Sequence, residues 1–230
     1  MRLSVGCPVY NRMWALPAWE DWILHACGNA NVRPQFYFVG TSSTDGSREF
    51  CEERGKVIPA WEGLNLPPEG RQWDDRRYSH MAWLRNHLLR EIRKDEPDLF
   101  LSIDSDILLH PKALSNLLET IENYDAVGGK CYLTPQPTKV PNYGQRTVSG
   151  GYRRPDTNPG VMKVDVLMAL VLMTPEAYAV DYTFHKQGED FGWSENARLR
   201  GLRFGFDSRL TSKHVMKPEA LKKIDPRIGY

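Results

Sequence analysis

Short apolar runs alternate with segments of helical period along the chain, the order expected of an α/β sandwich around a mainly parallel sheet. Leu3 to Val9 predicts a first strand and Trp14 to Ala26 a helix. Phe36-Tyr37-Phe38-Val39 predicts a second strand, stopping at the turn-rich Gly40-Thr41-Ser42-Ser43-Thr44-Asp45-Gly46. Ser47 to Arg54 opens another helix, Lys56 to Pro59 is a short third strand, and residues 61–78, with Gly63, Pro67, Pro68 and Gly70, read as a loop. From Ser79, an expected N-cap, Met81, Leu84, Leu88 and Ile92 recur at helical spacing up to Arg93-Lys94. Asp98 to Ile103 is the strongest candidate for a central strand, and it runs into Asp104-Ser105-Asp106. Pro111 starts a helix whose Leu114, Leu117, Leu118 and Ile121 form one apolar stripe, and Tyr124 to Gly129 returns as a strand.

Residues 131–163 break this rhythm. Pro135, Pro137, Pro141, Gly150, Gly151, Pro155 and Gly160 fall in a stretch too long for an idle connection, so a mobile lid or acceptor loop is expected there. It also carries Lys139, Arg146, Arg153, Arg154 and Lys163 against Asp156 alone, a local basic patch where anions should gather. Beyond it, Val164 to Met173 predicts one buried strand, Thr174 an N-cap with Pro175 at the first helical position, and Glu189 to Arg200 a helix closed by Gly201. Leu202, Phe204 and Phe206 alternate as a last strand ahead of His214.

Composition narrows the classes. The 230 residues fit one domain, and 41% hydrophobic with 26% charged residues belongs to a folded globular chain. Thirty Lys and Arg against 29 Asp and Glu leave a net charge of +1, which argues against an overall cationic nucleic-acid binder and makes any basic site local. The N-terminus lacks the apolar segment of a secretion signal, and the longest apolar run, Val166 to Met173, is eight residues. A bilayer span needs about 20, so no integral membrane segment is expected, and the location expected is cytoplasmic. Cys7, Cys27, Cys51 and Cys131 have no C-x-x-C or zinc spacing and read as reduced, mostly buried thiols.

Candidate chemistry lies at strand ends, where ligands bind in open α/β sheets. Asp104 and Asp106, two residues apart, should project to one side, a repulsion tolerable with a divalent cation or with solvent between them. Glu189 and Asp190 stand at a helix start, where one acid can serve the helix dipole and the other can accept a proton from a substrate hydroxyl. His214 is either a neutral imidazole ligand to the same metal or an ordinary histidine of surface or core.

Taken in order, these segments resemble the GT-A glycosyltransferases, the nucleotide-sugar enzymes of family two and its relatives. Gly6-Cys7-Pro8-Val9-Tyr10-Asn11-Arg12 is similar to the family's Pro-x-Tyr-Asn-Arg opening, Val39 to Gly46 to its second-strand turn, and Leu84-Arg85-Asn86-His87 to its Ala-Arg-Asn helix. Asp104-Ser105-Asp106 matches the D-x-D motif, and Gly188-Glu189-Asp190 with Gly201 and His214 resembles the acidic-helix and metal-histidine end.

The resemblance implies a GT-A (Rossmann-like) three-layer sandwich around a mainly parallel mixed sheet. The whole of 1–230 would be one catalytic domain, with a nucleotide-binding half (1–106) and an acceptor half (107–230) carrying a flexible loop at about 131–163. It implies Mn²⁺ or Mg²⁺ held by Asp106 with His214, while Asp104 reaches the ribose, or the metal through water. An imidazole ligand tilts the choice toward Mn²⁺. Asp190 would take the acceptor proton, giving inversion, and Glu189 would orient an acceptor hydroxyl or cap the helix. Pro8, Tyr10, Asn11, Arg12 and Ser105 would line the donor, and Arg85 would face the diphosphate or support that wall.

Where family members carry acids after the second strand, this chain has Gly40 and Thr41. Thr41 can still make one hydrogen bond to a base, so a UDP-sugar is only weakly favoured over a guanosine or other donor. The strand running into Asp104 also resembles the first motif of haloacid-dehalogenase-type phosphatases, with Asp104 as nucleophile, although three strands precede it here. A non-catalytic nucleotide- or nucleic-acid-binding module using Arg146, Arg153 and Arg154 is the other alternative. Tyr143, Tyr152, Arg153, Trp61, Trp73 and Trp193 are candidates for stacking on an acceptor, which can be a saccharide, a lipid-linked glycan, a protein or a modified DNA base.

Overall fold

The computed structural model describes residues 1–40, 43–59, 74–133, 139–154, 158–222 and 224. Thirteen strands and seven helices follow one another along them. They are β1 (Leu3–Val9), α1 (Leu16–Asn29), β2 (Pro34–Gly40), α2 (Ser47–Arg54), β3 (Gly55–Pro59), α3 (Asp75–Asp95), β4 (Leu99–Ile103), β5 (Ile107–Leu108), α4 (Ala113–Ile121) and β6 (Ala126–Lys130). After these come β7 (Tyr143–Arg146), β8 (Tyr152–Arg153), β9 (Val161–Val164), β10 (Val166–Leu167), β11 (Leu170–Met173), α5 (Pro175–Tyr178), α6 (Glu189–Leu199), β12 (Phe204–Thr211), β13 (Lys213–His214) and α7 (Pro218–Leu221).

An eight-stranded sheet in the order β3-β2-β1-β4-β11-β6-β12-β9 forms the middle layer. Strands β3, β2, β1 and β4 run parallel, as do β6 and β12, while β11 and β9 are antiparallel to their neighbours. Strand alternation sends successive side chains to opposite faces. Leu3, Val5, Cys7 and Val9 of β1 therefore join α1 and α4 in one core, and Tyr37 and Val39 of β2 join α3 and α6 in the other. The result is the three-layer, mainly parallel α/β sandwich expected. All four cysteines are buried and unpaired, and no described helix is long and apolar enough to cross a membrane.

Three expectations need correction. α3 begins before Ser79: the Asp74 carboxylate accepts from the Arg77 backbone N–H at 2.9 Å, while the Ser79 hydroxyl donates to the Asp75 carbonyl at 2.8 Å within the helix. The first turn, Asp75-Arg76-Arg77-Tyr78, is charged, so the apolar stripe that signals a helix starts a turn late. Val164 to Met173 is not one strand. It breaks at Asp165, between β9 and β10, and again at Met168 and Ala169, where Ala169 has φ 65° and the Leu170 N–H bonds the Met168 carbonyl at 2.7 Å. Both arms are buried, so an unbroken apolar run hides the turn. Finally, 131–163 is more than a loop: β7, β8 and β9 lie within it, and β10-β7-β8 make a small sheet of their own. Trp61, Trp73, Pro135, Pro137, Pro155 and Asp156 lie outside the described residues.

The placement of α6 depends on a missing side chain. A Cβ on Gly192 would run into the Thr183 backbone carbonyl and stand 2.8 Å from the Thr183 Oγ1, and backbone yields little. Gly192→Ala is expected to destabilise the protein by about 1–3 kcal/mol, read as a lowered urea midpoint with unchanged slope.

Candidate active site

The carboxyl ends of β1 and β4 and the start of α6 meet around one side chain. Arg85, on α3, is 3% exposed. Its Nη2 donates to Asp104 Oδ1 at 2.8 Å, its Nε to Glu189 Oε1 at 3.1 Å and its Nη1 to Ser102 Oγ at 3.4 Å, and Asp190 Oδ1 lies 3.9 Å from Nε. The Tyr182 ring covers the guanidinium at 5.5 Å. Burial works against a cation here, yet Asp104, Asp190 and Glu189 hold the Arg85 pKa well above its ordinary value. Asn86, the next residue, closes a two-way bond with the Tyr182 backbone at 2.8 and 2.7 Å, which fixes the chain leading into α6.

Glu189 is 5% exposed, its carboxylate turned to Arg85. Asp190 is the more open of the two, with 19% of its side chain accessible. Burial raises its pKa well above the usual carboxylate range, and the charges of Glu189 and Asp104 add to this against the opposing pull of Arg85 and an N–H from Ala169. Gly188 (φ 121°) makes the turn into the helix, a conformation that L side chains rarely adopt, and its Cα face lies against Tyr78.

Asp106 stands apart from this group. Its Oδ2 is 3.4 Å from Arg12 Nη2 and its Oδ1 is 3.4 Å from His214 Nε2. Burial opposes ionisation of Asp106, but the bond to His214 and the charges of His214 and Arg12 prevail and lower its pKa. His214 is shifted in the opposite sense: burial disfavours the imidazolium, and the Asp106 contact outweighs it and raises the pKa. The His214 Nδ1 meets the Tyr132 carbonyl at 3.0 Å, so the tautomer with Nδ1–H leaves Nε2 toward Asp106. Register supports the pairing, since β13 sets His214 opposite Ile107 of β5.

The loop after β1 is tied to the loop after β2. Asn11 takes φ 49°, tolerated best by Asn, and its Oδ1 accepts from the Thr44 N–H at 2.9 Å. The Arg12 N–H donates to Ser47 Oγ at 2.7 Å and the Met13 N–H to Asp45 Oδ2 at 2.9 Å. Tyr10 is 38% exposed at this edge. Pro8 sits beyond the last β1–β4 pair, where a missing N–H breaks no bond to β4. Ser105 is buried in the turn between the two aspartates, and Thr41 lies outside the described residues.

Of the residues expected in a site, the structure brings Arg85, Asp104, Glu189 and Asp190 into one cluster, and Arg12, Asp106 and His214 into a second. Each aspartate has its own guanidinium, so a single cation between the two is not required to relieve their repulsion. Among the described residues no group of three or more His, Cys, Asp or Glu is disposed to hold a metal ion. Asp106 and His214 form a two-donor pair, and Asp104, the third donor expected, is bonded to Arg85. Of the stacking candidates, Tyr143 and Trp193 are core residues, against Phe206 (4.4 Å) and between Tyr182 and Phe204 (5.9 and 5.2 Å).

Sequence reasoning missed Ala169, whose carbonyl accepts the Asp104 N–H at 2.9 Å and whose N–H serves Asp190. It also missed Arg77, whose half-buried guanidinium feels Glu189 and Arg12. An alanine inside an apolar run and an arginine in a charged helix start carry no local signal.

No family model matches the chain, and no curated protein is similar to it. Solved structures are. A197 from STIV superposes with a TM-score of 0.57 at 13% identity, over 95% of this chain and 87% of that one. TarS 1-349 of S. aureus in complex with UDP-GlcNAc gives 0.62 at 16% identity, over 93% of this chain and 58% of that one. Its complex with UDP gives 0.60 at 17% identity, over 96% and 62%. The chain thus spans less than two thirds of the TarS structures. The shared architecture is the GT-A (Rossmann-like) fold.

The raised pKa of Asp190 has a thermodynamic consequence. A carboxyl whose folded pKa exceeds its unfolded value stabilises the fold below the unfolded pKa and loses that contribution as pH rises through the folded one. Asp190→Asn removes the loss and keeps an acceptor for the Ala169 N–H. The variant should match the parent near pH 4 and become progressively more stable above it, by up to about 1.4 kcal/mol per pH unit across the window. Denaturant titrations at several pH values measure this, and a gain confined to low pH contradicts the assignment.

Proposed function

We propose that this chain is a glycosyltransferase that moves a sugar from a nucleotide-sugar donor to an acceptor hydroxyl with inversion. The observation that carries the reading is the cluster at Arg85, where Asp104 of the D-x-D segment and Asp190 at the start of α6 meet one buried guanidinium at the carboxyl edge of the sheet. Substrate sites of open α/β sheets lie at that edge. That TarS structures of the same fold hold UDP-GlcNAc and UDP supports a nucleotide-sugar donor, and makes UDP-sugars the first to try.

In this reading the linked loops at Tyr10–Arg12 and Ser43–Ser47 form the wall for the nucleoside, and Arg12 and Arg77 place positive charge beside the diphosphate. Asp104, oriented by Arg85 and by the Ala169 carbonyl, faces the ribose. Asp106 and His214 would hold a divalent cation, Mn²⁺ in preference to Mg²⁺ because of the imidazole, and its chemistry is to offset charge on the departing diphosphate. Asp190 accepts the proton of the acceptor hydroxyl as that oxygen bonds to the anomeric carbon. The bond from that carbon to the diphosphate oxygen breaks, and its electron pair leaves with the nucleoside diphosphate. Burial makes Asp190 a stronger base than an exposed aspartate, which suits the task. Glu189, hidden behind Arg85, orients that arginine.

Two measurements test the proposal. Mn²⁺ with UDP should raise the melting temperature of the parent, and Asp106→Ala should lose that increment. Equal increments in both exclude the assigned site. Across a panel of nucleotide sugars, metal-dependent release of nucleoside diphosphate identifies the donor, and Asp190→Asn should lower kcat for transfer by about 10²–10⁴-fold. The base acts only when ionised, so the rate should fall with decreasing pH through a pKa well above the ordinary 3.8.

A further inference from the structure

The basic patch of residues 139–163 is not uniform once folded. Tyr152 of β8 and Arg154, the residue after that strand, both meet α6, while Arg153 between them is exposed. Tyr152 is anchored there, its phenol donating to Glu195 Oε1 at 2.9 Å and its ring edge-on to Phe191 at 5.0 Å. The Arg154 guanidinium lies over the Phe191 ring, 5.4 Å from its centroid. Phe191 is the residue after Asp190, and His185 stacks on it at 5.5 Å and 11°. Arg146 pairs with Tyr152 in register, and its charge reaches that phenol.

Arg154 is therefore a partly buried cation resting on the ring of Phe191, the residue that follows the base of the proposed reaction. Among the described residues no carboxylate pairs with it, and burial alone lowers its pKa. Removing a guanidinium from water without an acidic partner costs free energy, which a bound oxyanion would recover. The planar fork suits phosphate or carboxylate, and the ring below fixes its orientation.

We propose that Arg154, with Arg146 beside it, binds a phosphate or carboxylate group of the acceptor next to the hydroxyl that Asp190 deprotonates, so that the enzyme glycosylates anionic alcohols. This deepens the glycosyltransferase reading and rests on it for the position of the hydroxyl.

Glycerol, glycerol 3-phosphate and glycerate, with glucose and glucose 6-phosphate, make a matched acceptor series. With the donor found above, the parent should prefer an oxyanion-bearing member over its neutral partner by about 10-fold or more in kcat/KM. The phosphate and carboxylate arms show which oxyanion is used. Arg154→Gln should bring that ratio to near unity through KM, and Arg154→Lys, which keeps the charge without the fork, should fall between. A parent that prefers neutral alcohols, or a preference that survives Arg154→Gln, overturns the proposal. Calorimetric binding of glycerol 3-phosphate in the presence of UDP and Mn²⁺ reads the subsite without turnover. Binding weakened about 10-fold by Arg154→Gln, in a protein that transfers no sugar, upholds the subsite and refutes the glycosyltransferase reading. Absence of binding in the parent refutes the subsite.

Discussion

A single buried guanidinium holds this site together. Arg85 is surrounded by Asp104, Glu189 and Asp190, one positive charge against three carboxyl groups. If all three ionised, the cluster would carry a net charge of about −2 in a region largely closed to water, where like charges raise one another's pKa. Two carboxylates bond to Arg85 directly, and the third, Asp190 at 3.9 Å, is left to bear the imbalance. Burial is the main cause of its raised pKa, and the charges of Glu189 and Asp104 add to it against the pull of Arg85. The same arginine joins elements that the chain keeps far apart: α3, the end of β4 and the start of α6. A buried ion pair missing one partner is strongly destabilising, so geometry and basicity at this corner depend on one side chain.

The second aspartate is treated differently. Asp106 faces Arg12 on one side and His214 on the other, and both neighbours favour its charge. Arg12 in turn is held by its backbone, through Ser47, within a loop that Asn11 and Asp45 tie to the end of β2. Two carboxylates two residues apart therefore have opposite surroundings. Asp104 bonds to the buried Arg85, and Asp106 pairs with a part-buried imidazole oriented from behind by Tyr132. Such a division suits a site in which one acid positions and the other meets an incoming charge.

Much of the framework was legible because periodicity and local chemistry agreed. β1 and α2 fall where alternation and the Gly46-Ser47 boundary put them, and Phe100 to Ile103 is as central as its apolar content suggests. The elements that escaped did so for identifiable reasons. The turn at Met168-Ala169, where the chain passes from the small sheet to the large one, is buried on both sides, so no polar residue marks it. The strands inside 131–163 are only two to four residues long, and β7, between β10 and β8, has partners that are each two residues long. In the site, residue types were readable and their partners were not. Nothing in a linear sequence says that Arg85 would meet acids 19 and about 104 positions away, because that is decided by the packing of α3 against β4 and α6.

Ala169 shows how the two halves of the cluster are coupled. It is a buried alanine with φ 65°, a conformation that costs an L residue about 1–2 kcal/mol. Its carbonyl accepts the Asp104 N–H at 2.9 Å, and its own N–H is directed to the Asp190 carboxyl. The strain is tolerated because β11 is fixed between β4 and β6 on either side of it. Strain of this kind persists only where its surroundings over-determine it, and it collects at functional sites. Ala169 thus links the Asp104 turn to the start of α6, its carbonyl bonded to the Asp104 N–H and its N–H favouring the charged form of Asp190.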